Sequence, residues 1–374
     1  MSAAIERIAG AKRLIVKIGS ALLVDDASGK IRHDWLAALA EDIADLHERG
    51  QQVAVVSSGA IAAGRRHLGL TERALRLEEK QAAAATGQII LAHAWQEALR
   101  RHSITVAQVL VTLDDTEERR RHLNARSTLN QLLALGAIPL INENDTVATQ
   151  EIRYGDNDRL AARVAAMISA EVLILLSDID GMYEADPRTA PDAMHIPEIR
   201  EITPELEAMA GAAPEGFSSG GMITKLQAAK IALGAGCHMA LTEGHSLHAV
   251  RKLMDGGRCT WFLSSANPRT ARKRWIAGSL KARGEFVIDQ GAANALKRGG
   301  SLLPAGVVSV NGRFERGDLV TVRNVEGQEI GRGLSAYSAA DAKHIAGHKT
   351  GEIEEILGYR GRDELIHRDD LALD

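Results

Sequence analysis

The 374 residues are 45% hydrophobic and 25% charged, an ordinary globular composition that excludes a disordered chain. With 45 Lys plus Arg against 49 Asp plus Glu the net charge is −4, which argues against a nucleic-acid binder as a description of the whole chain. Only Cys237 and Cys259 are present, so a disulfide framework and a Cys-rich zinc module are excluded, and the cysteine usage suits a reducing cytoplasm.

The length predicts two domains. Residues 1–12 carry Glu6, Arg7 and Lys12 and no apolar run of signal-peptide length, and no stretch matches the ~20 apolar residues of a membrane span. A cytoplasmic protein without membrane contact is expected.

Residues 13–18 (RLIVKI) predict a buried strand. A helix is expected over 34–49, with Asp34 as N-cap, an apolar face of Leu36, Leu39, Ala40, Ile43 and Leu46, and Gly50 just past its end. Residues 52–56 form the next strand. The cycle repeats with strands at 104–112, 137–141, 172–176 and 238–242 and helices at 117–135, 157–169 and 224–233. Strands joined by helical crossovers predict an α/β fold with a mostly parallel sheet covered on both faces, which takes ligands beyond the strand carboxyl ends.

The pattern changes after about residue 265, where 256–284 is rich in Arg and Lys and has no acidic residue. Short β-type runs follow at 285–288, 306–310, 319–322 and 329–334, separated by Asn-Gly, Arg-Gly and Glu-Gly turn signals, with helical patches near 339–345 and 352–357. The expected domains are residues 1–267, a basic linker at 268–283, and a small, mostly β domain at 284–374.

No G-x-x-x-x-G-K-[ST], G-x-S-x-G or H-E-x-x-H motif occurs. Polar groups instead follow the strands. Lys17-Ile18-Gly19-Ser20 closes the first, and a lysine in an apolar strand needs water or an anion at its tip. Ser57-Ser58-Gly59-Ala60 leads into a helix, where hydroxyls and N–H groups suit a carboxylate or phosphate, although serine capping alone would look the same.

Asn142-Glu143-Asn144-Asp145 and Gly155-Asp156-Asn157-Asp158 form two dense polar clusters, suited to an ammonium group, a metal or both. Asp158 could hold two lysines in position. Ser177-Asp178 ends an apolar strand. Ser219, Gly220, Gly221, Met222, Ile223 and Thr224 lead to Lys225 in a Gly-rich loop that opens a helix, offering N–H groups and a mobile charge to phosphates.

In this order the motifs V-K-I-G-S (16–20), S-S-G-A-I-A-A-G (57–64), I-N-E-N-D (141–145), G-D-N-D (155–158), S-D (177–178) and S-G-G-M-I-T-K (219–225) resemble the glutamate 5-kinases of the amino-acid kinase superfamily. R-K-R-W-I (272–276) and S-L-L-P-A-G (301–306) extend the resemblance into what looks like a PUA domain. It implies a three-layer sandwich with a PUA-like C-terminal domain, and ATP-dependent phosphorylation of the L-glutamate side-chain carboxylate, with Mg²⁺, as the first step of L-proline biosynthesis.

By resemblance, Lys17 and Lys225 stabilise the transferring phosphoryl group, and Asp158 orients them. Ser58, Asp145 and Asn157 hold glutamate, with Asp145 against its α-ammonium. Lys17, Ser177, Asp178 and residues 219–225 contact ATP. Relatives often carry Thr where Ser177 and Ser219 stand, and both serines keep the hydroxyl. The metal ligands are not assignable from sequence.

The resemblance also implies a homo-oligomer (dimer or tetramer), feedback inhibition by proline and hand-over of product to glutamyl phosphate reductase. Kinases of N-acetylglutamate, aspartate or uridylate share the core, but the β domain and G-D-N-D argue against them. RNA binding through the basic stretch is disfavoured by the net negative charge and the scarcity of stacking aromatics.

Overall fold

The computed structural model describes residues 3–25, 28–70, 74–147, 157–210, 221–278 and 282–373. It comprises two compact units, Met1–Pro268 and Arg269–Asp374. Expectations for Gly155, Asp156, Ser219 and Gly220 lie outside the described residues.

The strands of the first unit are β1 (Arg13–Ile18), β2 (Gln52–Ser57), β3 (Val106–Val111), β4 (Ile138–Glu143), β5 (Val172–Ser177), β6 (Met182–Tyr183), β7 (His195–Ile196), β8 (Glu198–Ile199), β9 (His238–Glu243) and β10 (Cys259–Phe262). Eight of them form one sheet in the order β3-β4-β2-β1-β5-β9-β10-β8, while β6 and β7 pair separately. All neighbours in the large sheet are parallel except β9 and β10.

Alternation along each central strand sends side chains into two separate cores, which makes three layers. Leu14, Val16 and Ile18 of β1 join Val53 and Val55 of β2 in one core, under helices His33–Glu48 and Leu77–Arg100. Ile15 joins Ala54, Val56, Leu173 and Leu175 in the other, under helices Asn157–Ile168 and Met222–Gly234. By the same alternation Lys17 projects from the Ile15 face, towards these two helices.

The helix expected at 117–135 is two, Leu113–Glu117 and Arg119–Ala134. Glu118 between them has extended backbone (φ −71°, ψ 119°), and the Thr112–Asp115 capping box starts the first piece early.

Five strands form the sheet of the second unit: β11 (Gly284–Ile288), β12 (Val307–Gly312), β13 (Leu319–Asn324), β14 (Glu329–Leu334) and β15 (Leu371–Leu373), in the order β12-β11-β13-β14-β15. Phe286 and Phe314 meet edge-on at 5.5 Å in its core. The basic stretch expected as a linker begins as a helix, Pro268–Gly278. Its Ile276 is fully buried, and Arg272 forms a buried ion pair with Asp370 at 2.5 Å, so its sequence carries an inward face as well as a charged one.

Candidate active site

Strand β1 delivers Lys17 one residue before its carboxyl end, Asp158 is the second residue of helix Asn157–Ile168, and Lys225 lies in the first turns of helix Met222–Gly234. Their exposures are 8%, 2% and 5%. Lys17 Nζ lies 2.5 Å from Asp158 Oδ1, and Lys225 Nζ lies 3.6 Å from Asp158 Oδ2. The Thr224 hydroxyl is placed to donate to Asp158 Oδ2 at 3.1 Å or to the Gly221 carbonyl at 2.8 Å.

Burial by itself would raise the carboxyl pKa of Asp158. The lysine charges and the hydrogen bonds from Lys17 and Thr224 outweigh it, so the group titrates below the ordinary carboxylate range. The two ammonium groups are thereby held on one carboxylate although the lysines stand 208 positions apart in sequence (225 − 17).

The turn after β2 is tied to the same region. Asn157 Nδ2 donates to the Ser57 carbonyl (3.2 Å), Ser58 Oγ (2.9 Å) and Asn142 Oδ1 (3.0 Å). The Ser58 amide donates to the Ile18 carbonyl at 3.1 Å, which joins this turn to the end of β1. Gly59 has φ +104°, a left-handed conformation that glycine adopts without strain, before helix Ala60–His67 begins.

On the other side of β1, Ser177 Oγ donates to Asp178 Oδ1 at 2.9 Å. Burial would raise the Asp178 carboxyl, but this hydrogen bond and the Lys225 charge bring its pKa below the usual value. Asp178 therefore feels the same lysine as Asp158. Gly221 and Ile223 are exposed at the start of the Lys225 helix, while Met222 packs partly into the second core.

Asp145 stands apart. It lies on the turn beyond β4, half-buried, and among the described residues no hydrogen bond joins it to Ser58 or Asn157 and no cation pairs with it. Burial pushes its carboxyl up to about 6.

Asn142, named in the motif but given no role of its own there, takes part in this network. It is 4% exposed, and its Oδ1 accepts from Asn157 and from the Glu143 amide (2.8 Å). Its signal was the carboxamide one residue before the strand end, overshadowed by the carboxylates that follow.

Among the described residues no group of three His, Cys, Asp or Glu side chains is placed to hold a metal ion. No described helix is long and apolar enough to cross a membrane.

The Amino acid kinase family matches residues 12–242, and the PUA domain matches residues 284–357. A glutamate 5-kinase of Paramagnetospirillum magneticum is 66% identical over 98% of this chain and 99% of its own length. The glutamate 5-kinase of Nitrobacter winogradskyi is 60% identical, over 97% of this chain and 96% of its own. That of Rhodospirillum rubrum is 59% identical, over 96% of each. The chain belongs to the amino acid kinase family, and within it to the glutamate 5-kinases.

Proposed function

We propose that the chain transfers the γ-phosphoryl group of ATP to the side-chain carboxylate of L-glutamate, giving L-glutamyl 5-phosphate and ADP, the first step towards L-proline. The observation that carries this reading is the convergence of Lys17 and Lys225 on Asp158. A glutamate carboxylate, with a reference pKa of about 4.3, is already ionised at neutral pH and needs no general base. The difficulty is bringing one anion to another. Two lysines aimed at the same phosphorus draw charge from its equatorial oxygens as the transition state forms, and Asp158 keeps both aligned.

In this reading Ser58 and Asn157 hold the acceptor, with Asp145 on its α-ammonium, while Ser177, Asp178 and residues 219–225 contact the nucleotide. Mg²⁺ suits a hard-oxygen site filled largely by phosphate and water, where it would neutralise phosphate charge. The described side chains offer no cage of their own. A cytoplasmic homo-oligomer inhibited by proline, passing its labile product to glutamyl phosphate reductase, belongs to the same reading.

The test is ADP release by the purified chain with ATP and Mg²⁺, with and without L-glutamate, trapping the acyl phosphate with hydroxylamine. Parallel arms contain N-acetylglutamate, aspartate or UMP, and repeats contain proline. Turnover that prefers another acceptor overturns the assignment.

The elevated Asp145 carboxyl gives a pH signature. Above about 6 the group is an anion that attracts an ammonium; below it the group is neutral. The apparent KM for glutamate therefore rises as pH falls through about 6, while the KM for ATP changes little. Asp145→Asn removes that pH dependence and raises the glutamate KM at every pH. A glutamate KM with the same acid limb in the variant assigns the titration to another group.

A further inference from the structure

Helix Ala60–His67 and helix Leu77–Arg100 cross with no side chain between their backbones. A Cβ built on Gly87 would lie 1.8 Å from the Ala60 carbonyl oxygen and 2.9 Å from the Gly64 amide nitrogen. One built on Gly64 would lie 1.8 Å from the Ala83 carbonyl oxygen and 2.7 Å from the Gly87 nitrogen. Both glycines have ordinary helical backbone, so the requirement for glycine is one of space, not of torsion. The atoms in the way are backbone, which cannot rotate aside as a side chain tip would.

Ala60 is the first residue of its helix and stands two positions after Ser58. The link is stiff: the Ala63 amide donates to the Gly59 carbonyl at 3.0 Å, and Val24 Cγ2 closes off Gly59, 2.9 Å from where its Cβ would be. A push at Gly87 thus reaches the turn that presents Ser58 to Asn157. The residues carrying Lys17, Asp158 and Lys225 belong to other elements.

We propose that Gly87 is a positioning residue for the acceptor: its missing side chain sets the depth of the first turn of helix Ala60–His67, and so the height of Ser58 above the phosphoryl-transfer lysines. The inference rests on the functional reading above. Glycine at this crossing therefore serves alignment of the acceptor with the phosphorus as well as packing.

The experiment is steady-state kinetics on Gly87→Ala, with glutamate and ATP varied separately. An ångström of misplacement predicts a glutamate KM raised at least about ten-fold, with the KM for ATP within about two-fold of the parent. Ile89→Ala, on the exposed face of the same helix, leaves both constants unchanged. In a Ser58→Ala background Gly87→Ala adds little further, because both changes act on one contact. If Gly87→Ala does not fold, Ala60→Gly loosens the same helix start without a clash and must raise the glutamate KM selectively. A folded variant in which both KM values rise together, or one whose effect adds fully to that of Ser58→Ala, overturns the proposal. A parent protein that turns over ATP on a different acceptor overturns the functional reading instead, and the variants then report on that acceptor.

Discussion

Lys225→Ala, and separately Lys17→Ala, lowers kcat by about a hundred- to a thousand-fold, the usual cost of removing one charged donor from a developing phosphoryl charge. Such a donor acts mainly in the transition state, so kcat should fall more than substrate affinity. The measurement is ADP release at saturating ATP and glutamate, on protein whose unfolding transition shows that it is folded. Each lysine is nearly buried and ion-paired with Asp158, so the ammonium is held in place before substrate arrives. Near-parent kcat in either folded variant removes that residue from the role.

Asp158→Ala has the largest expected effect on stability. It leaves two nearly buried ammonium groups without the carboxylate that now sits between them, and breaking a buried pair in this way costs about 3–5 kcal/mol. The shared carboxylate also orders the lysines, so kcat falls too. Adding Lys17→Met to the Asp158→Ala protein recovers part of the stability and none of the activity, which separates the two effects.

The pH dependence has a definite sign. Because the Asp158 pKa is lowered in the folded protein, its stabilising contribution is complete at neutral pH and is lost only as pH falls below the ordinary carboxylate range. The deficit of Asp158→Ala in denaturant titrations should therefore be flat across neutral pH and shrink in acid. An unchanged denaturation midpoint would show that Asp158 does not hold the lysines.

The central strands were legible because each is a short, unbroken apolar run, and the switch to period-two runs after about residue 265 marked the second unit. Helix Leu77–Arg100 was not legible. Leu91, Trp95 and Leu99 of its second half are fully buried, but the inward face of its first half is Ala83, Ala84 and Gly87, small residues that carry almost no hydrophobic signal and whose burial depends on close backbone approach. The antiparallel β10 was missed because a strand of four residues between two turns leaves no periodicity to count.

At the site, strand-end lysines and carboxylates were readable as chemistry, since a charge in an apolar strand needs a reason. Sequence also offered Asp158 as the holder of two lysines, but not the geometry of the contacts. Which oxygen of Asp158 each lysine meets, and how closely, depends on which face of β1 each helix covers, and that Asn142 rather than Asp145 meets Asn157 depends on a turn geometry no motif encodes.

The register of β1 has a consequence for synthesis. Leu14 pairs with Val53 on one side and with Val172 on the other. As the nascent chain leaves the ribosome, β1 can find β2 early, but its second edge stays open until β5 has been made. During that interval an apolar strand offers an unsatisfied ladder to any neighbour, and Lys17 near its end remains hydrated. Assembly of the cluster of Lys17, Asp158 and Lys225 is therefore a late event of folding, completed only when distant segments close around β1.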